Sequence, residues 1–216
     1  MNILTKWLRA YLPALPVDDT KLADDLTLRG IAVEGIFNLG AGNGTLYEMD
    51  ITTNRVDAMN HYGVAREAAA IYGVALKPLD FPLPEARPAA KPFSVQIEAQ
   101  DACGRFTARV LRDIKIADSR DWFPDAEVAT YFKLLDQKQI SNAVDATNFA
   151  WLAMGQPTHV FDLDKLEGGI VVRRAHKGEK LKTLDGVERT LDPEDLVVAD
   201  HAKAVGLAGV MGAGAQ

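Results

Sequence analysis

An α+β fold is predicted, and three observations predict it. Helical and strand-like periodicities are mixed without a regular βαβ alternation. A proline cluster splits the chain, and a 48% apolar composition over 216 residues is ample for more than one core. The expected arrangement is a small helix-rich N-terminal domain over 1–77, a proline-rich linker over 78–92, and a mixed β-rich domain over 93–216. Half of the ten prolines (Pro78, Pro82, Pro84, Pro88 and Pro92) lie in that linker, which favours an extended, semi-rigid connector.

In the first domain, 5–12 reads as a short helix stopped by Pro13. Asp18, Asp19 and Thr20 supply a cap for a second helix ending at Gly30, with Leu22, Leu26 and Arg29 at helical spacing. Residues 31–39 and 45–52 alternate as strands, and Gly42-Asn43-Gly44 between them is a tight-turn signal. A third helix is predicted over 61–72, with Val64, Ala68 and Ile71 on one face and Gly73 at its end.

The second domain opens with strands over 93–99 and 105–116. A helix over 125–137 follows, then a shorter one over 149–154. Segments 169–175, 180–184, 188–191, 196–199 and 204–208 read as strands, with Asp185-Gly186 a hairpin turn.

Composition limits the function. The net charge is −6, divided as −2 over 1–77 and −4 over 78–216. Neither part has the clustered basic stripe of an electrostatic nucleic-acid binder. The single cysteine, Cys103, excludes an intramolecular disulfide and fits a reducing cytoplasm, the expected location. The amphipathic N-terminus, with Trp7, Leu8, Tyr11 and Leu12, does not read as a signal peptide. No apolar run reaches membrane-spanning length.

The most distinctive stretch runs from Asn142 to Asp162, NAVDATNFAWLAMGQPTHVFD. Thr147, Asn148, Gln156 and His159 sit among Val144, Phe149, Trp151, Leu152, Met154 and Phe161. Polar groups interleaved with large apolar ones need partners, which points to a pocket wall. Gly155-Gln156-Pro157 breaks the helix, because a residue before proline is pushed out of the helical region. His159 follows that break.

This stretch resembles the editing domain of the β subunit of bacterial phenylalanyl-tRNA synthetase, whose members read VVDVTNY…GQP.HAFD here. The likeness extends through WLRAYLPAL, LADDLTLRGIAVEGI, EMDITTNRVDAMNHYGVAREAAAIYG, GGIVVRRAHKGEKLKTLDGVERTLDPEDLVVAD and VGLAGVMG, in the family's order. It departs from the family in four places. Only residues 40–44 stand where the usual bacterial form inserts an oligonucleotide-binding barrel. WFPDAEVATYFKLLDQKQIS is longer than its counterpart. Ala213 replaces a second glycine, and the family sequence continues past Gln216.

The resemblance implies hydrolysis of tyrosine mis-esterified to the phenylalanine tRNA. Thr147, Asn148 and His159 match editing-pocket positions, and Gly209 and Gly212 match its glycine-rich rim. Thr147 and Asn148 would hold the ester carbonyl, the amino group or a water. His159 would orient water or contact the terminal adenosine, and the glycines would leave room and expose backbone N–H donors. The glutamate that reads the tyrosyl hydroxyl in the family is expected beyond Gln216. The implied partners are the synthetase α subunit, the remainder of the β subunit and the aminoacylated 3′ end of tRNA, with no membrane. The parent enzyme uses ATP and magnesium, expected to bind elsewhere, so no cofactor is assigned to this chain and it is not expected to aminoacylate alone. Two alternatives are a non-catalytic scaffold of the synthetase and a freestanding trans-editing factor.

Residue type alone leaves plainer readings open. Thr147-Asn148 reads as a helix cap before Phe149, and His159 as a structural histidine. His61, His176 and His201 lack metal-ligand spacing. Gly206, Gly209, Gly212 and Gly214 do not form a dinucleotide loop. Asp145 and Asp162 suit Asx turns better than an acid–base pair. Arg173, Arg174, Lys177, Lys180 and Lys182 suit either phosphate contacts or solvated strand faces.

Overall fold

The computed structural model describes residues 1–82, 85, 93–118 and 126–213. The fold is α+β, and its contacts group into two compact units, Met1–Pro82 with Lys115–Thr158, and Leu83–Ile114 with His159–Gln216. The chain therefore leaves the second unit at Ile114 and returns to it at His159. The sequence-based division expected residues 115–158 in the second domain; by contacts they pack with the first unit. Pro84, Pro88 and Pro92 of the expected linker lie outside the described residues.

Unit 1 begins with β1 (Asn2–Leu4), α1 (Thr5–Tyr11) and α2 (Asp19–Thr27). Asp18 caps α2 by accepting from the Lys21 amide at 2.8 Å, satisfying one of the orphan N–H groups of the first turn. β2 (Ala32–Asn38) and β3 (Thr45–Asp50) form the expected hairpin. β3 is central in an antiparallel sheet of order β1-β3-β2, with Ile3 opposite Tyr47. α3 (His61–Tyr72) has the predicted bounds, with Asn60 as its cap and Gly73 at its left-handed end. Leu8, Leu22, Leu26, Tyr47, Met49, Val64, Ala65 and Ala68 fill the core between these helices and the sheet.

The later part of unit 1 adds α4 (Ala126–Leu134) and α5 (Asn142–Met154). They close a second core around Leu4 and Trp7, made of Tyr131, Phe132, Leu135, Leu152 and Ala153. The Trp7 ring stacks on His61 at 4.1 Å, Tyr131 at 4.8 Å and Phe149 at 5.0 Å between centroids. Such pairs contribute about 0.5–1.5 kcal/mol each beyond the area they bury.

Fully buried His61 ties this core together. Its Nε2 accepts from the Leu4 amide at 3.0 Å, and its Nδ1 lies 2.8 Å from the Leu152 carbonyl. Those partners fix a neutral ring with the proton on Nδ1. Burial drives its pKa down to about 4, against the opposing pull of the Leu152 carbonyl.

Unit 2 is built on a sheet of order β10-β9-β8-β5-β4. Its strands are β4 (Val95–Ile97), β5 (Ile170–Arg174), β8 (Leu196–Ala199), β9 (Ala204–Leu207) and β10 (Met211–Gly212). β4 pairs parallel to β5, and the other neighbours are antiparallel. β6 (Lys180–Lys182) and β7 (Glu188–Thr190) form a separate hairpin through the Asp185-Gly186 turn.

Three expectations are corrected. No strand forms over 105–116, because no neighbouring strand supplies ladder partners there. α5 begins at Asn142 rather than Phe149, since Ser141 caps it by accepting from the Val144 amide. Thr147 and Asn148 are thus mid-helix, not a cap. β1 and β10 are strands that the sequence reading did not predict, both too short to show a period.

Candidate functional site

α5 turns one face to the core and another outward. Asn142, Asp145, Leu152 and Ala153 are buried, while Thr147 and Asn148 are half-buried and Trp151 is 43% exposed. The two buried polar residues hold the start of the helix. Asn142 Nδ2 donates to the Lys115 carbonyl at 2.9 Å, and its Oδ1 accepts from the Ala117 amide at 3.2 Å. Asp145 accepts from the Ile140 amide at 3.0 Å, so it anchors the preceding loop and is not half of an acid–base pair.

Thr147 Oγ1 donates to the Val144 carbonyl at 2.7 Å. Its proton is therefore committed, and toward a ligand the hydroxyl is an acceptor. The Asn148 side chain makes no hydrogen bond among the described residues. It offers two N–H donors and a carbonyl from a half-buried position.

The other three candidates belong to unit 2. His159 is exposed, and its ring meets Phe161 edge-on at 4.5 Å. Gly212 in β10 pairs with Gly206 of β9. A Cβ on Gly212 would lie 2.5 Å from His159 Cε1 and 3.3 Å from Leu184 Cδ1, so only a glycine lets the imidazole lie against this strand. Gly209, in the β9–β10 turn, has φ +71° and open space around its missing Cβ. Exposed Leu184, Val210 and Met211 make the neighbouring chain apolar.

Sequence reasoning missed Leu184 as a neighbour of Gly212, because the β6–β7 turn and β10 meet only through long-range pairing. Leu184 donates its amide to the Gly212 carbonyl at 3.0 Å, and Thr183 bridges to Ala213. Gly212 and His159 are brought together; Thr147 and Asn148 lie in unit 1 and are described separately from them.

Three of the five basic residues weighed for phosphate contacts, Arg173, Arg174 and Lys180, have other partners. Arg173 forms a two-pronged ion pair with Glu179, both bonds at 2.8 Å, and the pair is largely buried. The Arg173 guanidinium, with the His176 and Ala204 amides, holds the Glu179 carboxyl down to about 2 despite burial. Arg174 pairs with Asp101 and Lys180 with Glu188.

A cleft of about 550 Å³ lies in unit 1, lined by Met1, Met49, Ile51, Met59, Leu135 and Trp151 among others. None of the five candidates lines it; its walls are mainly apolar, with Asn2, Asp50 and Gln137 as their polar side chains. Among the described residues, no group of three or more His, Cys, Asp or Glu is placed to hold a metal, and no helix is long and apolar enough to cross a membrane.

Comparison with known proteins gives consistent results. The family model described as "B3/4 domain" matches residues 102–216. The phenylalanine–tRNA ligase β subunit of Fusobacterium nucleatum is 40% identical over 174 residues, 79% of this chain and 21% of its own length. The corresponding subunit of Moorella thermoacetica is 45% identical over 166 residues, 76% of this chain and 20% of its own. This chain thus spans about a fifth of the length of these relatives. A solved N-terminal fragment of the phenylalanyl-tRNA synthetase β-subunit from Pyrococcus horikoshii aligns over 99% of this chain and 62% of its own, at 15% identity and a TM-score of 0.47. That superposition is too loose to argue from.

Proposed function

The chain belongs to the B3/4 domain family, and from that premise we propose that it is the editing-domain region of a phenylalanine–tRNA ligase β subunit, hydrolysing tyrosine mis-esterified to the phenylalanine tRNA. The observation that carries this reading is the 40–45% identity to β subunits, together with a free Asn148 side chain and a glycine-seated His159 at the matching positions.

Discrimination follows from asymmetry. A site built to hydrogen-bond a hydroxyl rejects the analogue lacking it by about 10⁴–10⁵-fold, whereas an apolar pocket rejects an added hydroxyl far less well. A second site that requires the phenol therefore complements a phenylalanine pocket. Asn148 is suited to donate to the ester carbonyl, polarising it, and Thr147 to accept from the substrate ammonium. In unit 2, His159 seated against Gly212 is suited to hold a water by hydrogen bond. The water oxygen bonds to the carbonyl carbon and the C–O bond to the ribose breaks. The proton lost by water ends on the ribose hydroxyl. An ester is activated enough for this without a nucleophilic side chain.

In this reading the α subunit, the rest of the β subunit and the aminoacylated 3′ end of tRNA are the partners. ATP and magnesium serve aminoacylation in other parts of the enzyme. The test is release of tyrosine from tyrosylated phenylalanine tRNA by the chain. Hydrolysis above buffer that falls at least about tenfold in the Thr147→Ala, His159→Ala double variant supports the pocket. Hydrolysis equal to buffer supports the scaffold reading instead.

A further inference from the structure

Residues 105–112, RFTARVLR, have the composition of a strand but pair with nothing. Aromatic and β-branched residues (Phe106, Thr107 and Val110) favour a pleated, half-buried surface. Yet among the described residues the backbone N–H and C=O groups of 106–112 make no hydrogen bond. Phe106 packs on the Ile170, Val172 and Val205 core and anchors one end of the run. Leu111, at the other end, is 62% exposed. The run stops at Asp113, whose φ of +58° turns the backbone out of the extended region. Eight residues between the Cys103 turn and that kink are a usual strand length.

The segment's charge is equally specific. Arg105, Arg109 and Arg112 are exposed and form no salt bridge among the described residues, although the protein as a whole carries −6. Other arginines of unit 2 are paired, Arg173 with Glu179 and Arg174 with Asp101. A row of open backbone groups invites strand addition, and cross-strand pairs of opposite charge favour it. A phosphate ligand would use the arginines but leave Leu111 and the open ladder unexplained.

We propose that residues 105–112 are a docking edge that accepts, by β-strand addition, an extended strand of alternating apolar and acidic residues from a partner polypeptide. Backbone bonds supply the attachment, and Arg105 and Arg109, which share one face of an extended strand, select an acidic partner over a basic one. The proposal is independent of the hydrolytic reading, since no candidate pocket residue takes part.

The test uses the full chain and a capped peptide of about eight residues alternating valine and glutamate, with amide hydrogen exchange across 105–112 as the readout. The expected result is rapid exchange in the free chain and protection by at least about tenfold with the peptide. A valine–lysine peptide, and a valine–glutamate peptide with N-methylated backbone, should give none. Arg105→Glu with Arg109→Glu should remove the protection while leaving exchange in β5 and β8 unchanged. Three results overturn the proposal. One is protection that rises with the chain's own concentration, which makes the occupant a second copy. Another is equal protection by the N-methylated or lysine peptide. The third is protection by oligoadenylate but not by the peptide.

Discussion

Unit 1 and unit 2 solve the problem of burying polar groups in opposite ways. Unit 1 buries a neutral histidine, donating to one backbone carbonyl and accepting from one amide under a tryptophan. Unit 2 keeps a charged pair, Arg173 with Glu179, and surrounds the carboxylate with backbone donors. A neutral buried group resists salt but not acid near neutrality, whereas a paired carboxylate resists acid until its own low pKa is reached. The two units should therefore fail under different conditions. They are also distinguishable optically. The described tryptophans, Trp7 and Trp151, and all five tyrosines lie in unit 1, so their fluorescence reports that unit.

The comparison breaks most sharply at His61. His61→Ala should destabilise unit 1 by about 3–5 kcal/mol, because it opens a cavity beside Trp7 and strands the Leu4 amide and Leu152 carbonyl. Urea unfolding followed by tryptophan fluorescence measures this. A loss below about 1 kcal/mol would mean the histidine is not the tie described here.

Acid should separate the units next. Unfolded histidine titrates near 6.5 and folded His61 near 4. The stability from keeping it neutral is thus complete above about 6.5 and lost as pH falls toward 4. The shift corresponds to roughly 3 kcal/mol. Glu179 is depressed from 4.5 to about 2, so its contribution is complete above 4.5 and lost as pH falls toward 2. Between pH 6 and 4.5, fluorescence-detected stability should decline while amide protection factors in β5 and β8, taken against the intrinsic exchange rate at each pH, stay constant. Simultaneous loss of both would refute the contrast.

Glu179→Gln should weaken unit 2 by about 2 kcal/mol, less than a fully buried pair, by leaving the Arg173 charge without its partner. Hydrogen exchange in β5 and β9 should report it, and tryptophan fluorescence should not. Gly212→Ala has the smallest expected effect on stability, below about 1 kcal/mol, since the new methyl group meets the exposed His159 ring. It should displace that ring and lower tyrosine release from mischarged tRNA several-fold. Unchanged release would remove the Gly212–His159 contact from the proposed mechanism.

The same contrast explains how much was legible in the sequence. α3 has its predicted bounds because an asparagine cap, an apolar period and a terminal glycine lie within one short stretch. The β2–β3 hairpin is equally local, since its turn residues lie between its own strands. α5 was read seven residues short because buried Asn142 and Asp145 serve the loop before the helix, which obscures its apolar period. In unit 2 the decisive partners are distant. β4 finds β5 across more than seventy residues, with Val95 opposite Ile170, and residues 105–112 satisfy strand propensity without finding a ladder. The resemblance names Thr147, Asn148, His159, Gly209 and Gly212 as candidates, but not that Thr147 has its proton committed or that Gly212 seats an imidazole. Those facts depend on helix register and long-range pairing.

The core around Trp7 has a consequence for the order in which the chain is made. Leu4 and Trp7 leave the ribosome more than a hundred residues ahead of the residues that cover them, Tyr131, Phe132, Leu152 and Ala153. Between them the ribosome emits β4, whose own sheet awaits β5. Both units therefore stay open until those partners emerge, and the nascent chain carries an uncovered tryptophan face until α5 arrives to cover it.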